Sequence, residues 1–278
     1  MNKKIIFLGI IVLSFLSCTQ VEIITDPYWV DLVPSFQDGA LNLKIRSIIN
    51  GYKLKLYVSD RKGIFQDFPE KFNTNQKKIV ILSPLLSNHV NDFSKNIKSI
   101  VYYFPNKLEK TNSTGSNTEL IKRDRSKSFF KVGSSLGTII KEHSVLPVIY
   151  DPTNNQQSKE TMSFLDGIKN SKKKISFSYL KVGSDSSEED VRKFYDKIDK
   201  NSIRYVVVFS SKFKYFIFDL VEKDNLKIIT SDSWFSLSNR SFILYSIEDD
   251  IIGMFKKVYS SEKTGKYGEI LLEGVIRK

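Results

Sequence analysis

Residues 204–211, RYVVVFSS, carry the reading that decides the fold. A strand with one wet face alternates polar and apolar side chains, and Tyr205–Phe209 does not alternate. Such a run is buried on both faces, as in a parallel sheet with helices packed on each side. KKIVILSP at 77–84 reads the same way. Outward from 204–211, a helical stretch near 212–223 leads to another apolar run, KIITSDSWF at 227–235. Upstream lie VLPVIYD at 145–151, a helix near 158–170, KISFSYLKV at 174–182 and a helix near 187–199. Ser186 and Glu189 have capping-box spacing ahead of Val191, Phe194 and Ile198 on one helical face.

The first half has the same rhythm. VEIIT at 21–25 precedes a helix around 36–50 and KLKLYV at 53–58. KKIVILSP is followed by a helical segment and by SIVYYFP at 99–105. TNSTGSNT at 111–118 reads as an exposed loop, SFFKV at 128–132 as a strand, and SSLGTIIKEH at 134–143 as a helix. Alternating β and α elements give right-handed crossovers and a doubly wound α/β fold. Eight of these strands, in two runs of four, predict two sheets, hence two lobes. RSFILYSIEDDIIGMFKKVYSS at 240–261 then reads as strand and helix, and GEILLEGVIRK at 268–278 as one closing strand.

The N-terminus carries a different signal. Lys3 and Lys4 precede an apolar run, Ile5–Leu16, that ends at Ser17-Cys18. A bilayer core of about 30 Å needs about 20 residues, so the run fits a signal-peptide core instead. SFLSC at 14–18 resembles the lipobox of bacterial lipoproteins, with Phe15 where leucine is usual. Cys18 is the only cysteine, so it has no partner for an internal disulfide. The expectation is a signal peptide at 1–17, a lipidated N-terminus at 18–20 carrying diacylglycerol and palmitate on Cys18, and an exported body held to a membrane in the cell envelope.

Composition bounds that body. It is long enough for one large or two medium cores, and 41% hydrophobic with 13% aromatic residues excludes disorder. Its 43 basic against 31 acidic residues give a formal charge of +12, scattered along the chain with KKK at 172–174 as the longest run. Without a basic stripe or a nucleic-acid motif, the excess reads as a lysine surface facing an anionic membrane or anionic ligands, and no nucleic-acid partner is expected.

The order of elements resembles the type I periplasmic binding proteins, the superfamily of sugar receptors and of the effector domain of lac-repressor-like regulators. DPYW at 26–29 resembles the family's NPFW after the first strand, and QDGALNLKIRSIINGYKLKLYV at 37–58 the helix and strand that follow. ILYSIEDDIIGMFKKVYS at 243–260 resembles the late strand and helix returning to lobe one, and EGVIRK at 273–278 the final strand. The resemblance implies two lobes joined by a three-segment hinge: lobe one at 21–126 plus 237–262, lobe two at 127–236 plus 263–278.

Ligands of doubly wound sheets collect beyond the strands' carboxyl ends. Those loops hold Asp26, Tyr28, Trp29, Ser83, Asn106, Asn154, Asn155, Ser211, Asp232 and Trp234. The resemblance makes Tyr28 and Trp29 aromatics that stack on a ligand ring, and Asp232 in TSDSW the aspartate that clamps ligand hydroxyls. It also exposes departures. Met162 or a neighbour stands where sugar binders carry an arginine, Lys212 and Phe213 replace an Asn-Asp pair, and FPNK at 104–107 lacks the family's charged residue. Fewer charge-assisted contacts point away from an ordinary pentose or hexose.

Catalysis has little support. GSSLG at 133–137 matches the G-x-S-x-G pattern, but His143 follows Ser135 within the expected helix, about 12 Å along its axis, and His89 belongs to another unit. Two separated histidines offer no zinc site, EKTGKYG at 262–268 is no phosphate loop, and Asp249-Asp250 reads as helix N-terminal charge. No metal, no cofactor and no enzymatic activity are expected. The sequence therefore points to a membrane-anchored solute-binding lipoprotein that takes a nucleoside-like or other polar ring compound between two lobes and delivers it to an ABC-type importer permease. The alternative is a degenerate binding fold used as a cell-surface interaction or adhesion module.

Overall fold

A computed structural model describes residues 19–26, 29, 41–59, 77–95, 98–105, 117–200, 202–231 and 241–278. The signal peptide, Cys18, Tyr28, Asn106, Asp232 and Trp234 lie outside the described residues. The chain forms two compact units, 1–123 with 251–272 and 124–250 with 273–278, and so passes between them three times.

Unit 1 contains β1 (Thr19–Thr25), α1 (Leu41–Ile49), β2 (Tyr52–Val58) and β3 (Lys78–Leu82). A 3-10 turn, Pro84–His89, runs into the short α2 (Val90–Phe93), and β4 (Ile100–Tyr103) and β5 (Thr118–Arg123) follow. Its sheet has the order β11-β5-β4-β3-β1-β2, where β11 is Ile270–Leu272, and every adjacent pair is parallel. Val21, Ile23, Ile79 and Ile81 face a core shared with Met254, Phe255 and Val258 of the late helix. Ile24, Val80 and Leu82 face Leu86, Val90 and Phe93 on the other side. IVIL is apolar throughout because each face has its own cover.

Unit 2 contains α3 (Ser126–Ile139), β6 (Val145–Tyr150), α4 (Asn155–Lys169), β7 (Ser176–Lys181), α5 (Glu188–Asp196), β8 (Tyr205–Val208), α6 (Lys214–Lys223), β9 (Lys227–Ser231) and β10 (Ile243–Asp249). Helix α7 (Ile251–Thr264) returns to unit 1, and β12 (Gly274–Arg277) closes the sheet of unit 2. That sheet has the order β12-β10-β9-β8-β6-β7, parallel except for β12, which pairs antiparallel with β10. Val206 and Val208 enter the core under α5 and α6, while Val207 enters the core under α3 and α4. This division explains the unbroken run at 204–211.

Several expectations from the sequence differ from the structure. SFFKV at 128–132 is helix, the opening turns of α3, and the strand of this region is β5, ten residues earlier in TELIKR. Apolar Phe129 and Val132 are three apart, a helical spacing, and both are buried. Ser135 therefore sits in mid-helix and caps nothing, and His143 lies beyond the helix with φ 63°. The capping box is Ser187 with Asp190, one residue later than Ser186 and Glu189, because Ser186 Oγ accepts the Gly183 N–H at 2.9 Å. The closing stretch is two strands in different sheets, β11 and β12, where one closing strand was expected, and each sheet has six strands. Strand β10 hydrogen-bonds to β9 in unit 2, so the second passage falls at 250/251 where 236/237 was expected, and the third at 272/273 where 262/263 was expected.

Candidate functional site

In both sheets the first strand is flanked by the second on one side and the third on the other: β2-β1-β3 and β7-β6-β8. Connections leave in opposite directions at these points, opening a crevice at the strands' carboxyl ends. In unit 1 the crevice is where Asp26 follows β1 and Ser83 follows β3. Asp26 is buried, and its two carboxylate oxygens accept the Trp29 backbone N–H at 2.9 Å and the Ser83 hydroxyl at 2.5 Å. Ser83 is fully buried and its N–H donates to Ile24 O at 2.9 Å. Ser87, absent from the sequence-derived set, extends the network: its hydroxyl donates to Ser83 O and accepts the Phe104 N–H, both at 2.9 Å. Its signal was the serine four residues beyond Ser83 in a helical turn.

Trp29 belongs to this network through its backbone, while its ring goes to the core. The side chain is 4% exposed and meets Phe104 edge to face, with centroids 5.7 Å apart. Little of the ring is left for stacking on a solute.

Unit 2 is more open at the corresponding ends. Asn154 and Asn155 are exposed at the start of α4, and the Asn154 side chain accepts from Gln156 and Gln157 N–H at 3.0 and 3.2 Å as an N-cap. Phe209 N–H donates to Ile149 O at 2.9 Å, joining the ends of β8 and β6 just before exposed Ser211. Beside Ser211, Lys212 Nζ donates to three carbonyls, Gly183, Ser184 and Ser186, at 3.0, 2.7 and 2.7 Å. Lys214 is buried and donates to Ser231 O at 2.7 Å. Lys212 is thus a cation that ties down a neighbouring loop. Phe213 holds φ 58°, in the left-handed region, at the start of α6.

A second polar centre lies within unit 2 where the chain enters and leaves it. Arg125 and Glu160 are each 1% exposed and form a bidentate pair, Nε–Oε1 and Nη2–Oε2 both at 2.9 Å. Arg125 also donates to Ile247 O at 3.1 Å, lies 3.7 Å from Asp249 and stacks over Phe129 at 5.4 Å. Asp249 therefore answers a buried guanidinium as well as preceding a helix. Ser128 Oγ donates to Gly274 O at 2.7 Å, and Asp250 N–H to Glu273 O at 2.9 Å. Next to this knot, burial raises the Asp124 carboxyl, but hydrogen bonds from Lys159 and Ser126 outweigh it and hold the pKa at about 2. A depressed folded pKa gives stability present above pH 4 and lost as pH falls toward 2. Asp124→Asn is expected to cost about 1 kcal/mol at pH 7 after solvent screening. Urea unfolding across pH should show its deficit against the parent closing between pH 4 and 2; a pH-independent deficit would refute the assignment.

No family model matches the sequence, and no curated protein matches it. Solved structures do. A transcriptional activator of the comK gene from Bacillus halodurans superposes with TM-score 0.65 at 12% identity, over 93% of this chain and 90% of that one. An ABC transporter solute-binding protein from Conexibacter woesei DSM 14684 gives 0.64 at 10%, over 94% and 88%. A XylFII-LytSN complex gives 0.62 at 14%, over 94% and 98%. At such identities the likeness establishes the fold, that of the type I periplasmic solute-binding proteins, in a divergent sequence.

Proposed function

We propose that this chain is a membrane-anchored solute-binding lipoprotein of the cell envelope. It takes a small polar ring compound, nucleoside-like in chemistry, at the carboxyl ends of its strands and passes it to an ABC-type importer permease. The observation that carries the reading is a topological switch point in each sheet with polar side chains at the strands' carboxyl ends, in a fold that also serves solute-binding proteins over most of their length. In unit 2, Asn154, Asn155 and Ser211 are the exposed candidates; in unit 1, Asp26, Ser83 and Trp29 are buried at the strand ends; Tyr28, Asn106, Asp232 and Trp234 are candidates from the sequence alone. The missing charge-assisted contacts set the ligand apart from an ordinary sugar.

A thermal-shift screen of nucleosides, sugars and amino acids tests this. A ligand at 100 times its Kd adds about 2.7 kcal/mol, which raises Tm by roughly 5–10 °C in a protein of this size. Asp232→Ala should abolish the shift for hydroxylated ligands, whose donors lose their acceptor. A second reading, an interaction module on the cell surface, is favoured by one observation: both oxygens of Asp26 and the ring of Trp29 are already engaged inside unit 1. If no compound class shifts Tm, that reading replaces transport.

A further inference from the structure

All six strands of unit 1 run parallel, so all six begin at one end of the sheet. β1 begins at Thr19, the residue after Cys18, and the register pairs Thr19 with Tyr52. Helix α1 ends at Ile49, three residues before Tyr52, so its last turn lies at the same end as the lipidation cysteine. The C-terminal part of the helix carries an exposed apolar stripe beside Arg46: Ile45, Ile48 and Ile49 are 48%, 51% and 77% exposed. Their i, i+3, i+4 spacing makes one stripe on the helix.

Lysines rim the same end. Exposed Lys53 lies at the start of β2, Lys98 just before β4, and Lys266 before β11. Lys263 reaches Asn50 at 3.5 Å, which places the end of α7 beside the end of α1. Of the acids at this end, Glu262 is paired with Lys77 and Glu269 with Lys122 (the latter pair at 3.7 Å), Tyr267 donates to Glu262 at 2.6 Å, and Glu119 at the start of β5 is half-buried, which pushes its carboxyl up. An apolar stripe bordered by cations is the composition of a surface that sinks into the headgroup layer of an anionic membrane.

We propose that this end of unit 1 is a membrane-docking face, with Ile45, Ile48 and Ile49 in the interface and the lysines against anionic headgroups. It rests on the lipoprotein reading, since Cys18 brings the face to the bilayer. Docking then fixes orientation: the strand starts lie on the membrane, and the crevice of unit 1 points away from it.

The sole native cysteine is Cys18, so once it is acylated an introduced cysteine is the one reactive thiol. The test uses the full lipidated chain in vesicles of phosphatidylethanolamine and phosphatidylglycerol. Ile48→Cys and Val58→Cys, exposed positions toward opposite ends of unit 1's sheet, carry an environment-sensitive fluorophore. The label at 48 should be quenched by doxyl lipids at least threefold more than the label at 58. Lys53→Glu with Lys266→Glu should lower the docked fraction, at about fivefold per lysine lost near the surface. Equal quenching on floating vesicles overturns the docking face while leaving the anchor intact. Failure of the chain to float overturns both. A label at 48 shielded before vesicles are added assigns the stripe to a protein contact and overturns the proposal.

Discussion

Glu160→Ala is expected to cost about 3–5 kcal/mol of folding stability, because it strands a buried guanidinium. Arg125 is 1% exposed and donates two parallel hydrogen bonds to Glu160, both at 2.9 Å. After truncation its remaining neighbours include Ile247 O, the more distant Asp249 and the Phe129 ring. Those contacts do not replace a bidentate carboxylate. Gln156, which donates to Glu160 at 2.9 Å, loses its acceptor too. Replacing both charges, Arg125→Met with Glu160→Met, should recover most of the loss, since two desolvation penalties vanish together. Urea unfolding of the single and double variants measures this. A single-variant loss under about 1 kcal/mol would mean that water reaches the pair.

Gly133→Ala and Gly167→Ala are expected to lose about 3 kcal/mol each, against the usual direction for a helical glycine. Alanine favours a helix over glycine by about 1 kcal/mol, so an uncrowded site would gain stability. Here a Cβ on Gly133 would meet Phe164 O at 2.0 Å, and one on Gly167 would meet Phe130 O at 2.2 Å. Both obstacles are backbone, which has no rotamer to escape into, so α3 and α4 must move apart. At Gly137 the nearest atoms are the Ser171 side chain at 2.9 and 3.0 Å, and Gly137→Ala should be milder. Thermal unfolding should rank Gly137→Ala above the other two in Tm; equal values for all three would refute the close helix crossing.

The same glycines illustrate what the sequence made legible. SSLGTIIKEH was readable as helix, yet the helix starts earlier, at Ser126, and so takes in Gly133 as well as Gly137 at the contact. Buried parallel strands such as 78–82 and 205–208 declare themselves through unbroken apolar runs. TELIKR did not, because β5 has one fully buried residue, Ile121, and reads as polar surface. Glu273, where the last stretch changes sheets, is marked by no proline and no run of loop residues, only by the glycine after it. Among the site residues, position at strand ends was readable, but commitment was not. Asp26 and Trp29 look the same in sequence whether they face a ligand or bond within the fold, and that choice depends on Ser83 and Phe104, more than fifty residues away.

The threading of the chain has a consequence for the order of assembly. Unit 1 is finished by α7 and β11, and unit 2 by β12, so both sheets take a strand from residues 270–277. Ser128 meets Gly274 across 146 positions of sequence. Chains emerging N-terminus first at about 5–20 residues per second usually fold one domain while the next is still being made. This chain lacks that option, because unit 1 waits for a helix and a strand that follow the bulk of unit 2. Neither sheet can close its last edge until residues 270–277 have been made, so the two units are timed by one shared, late event.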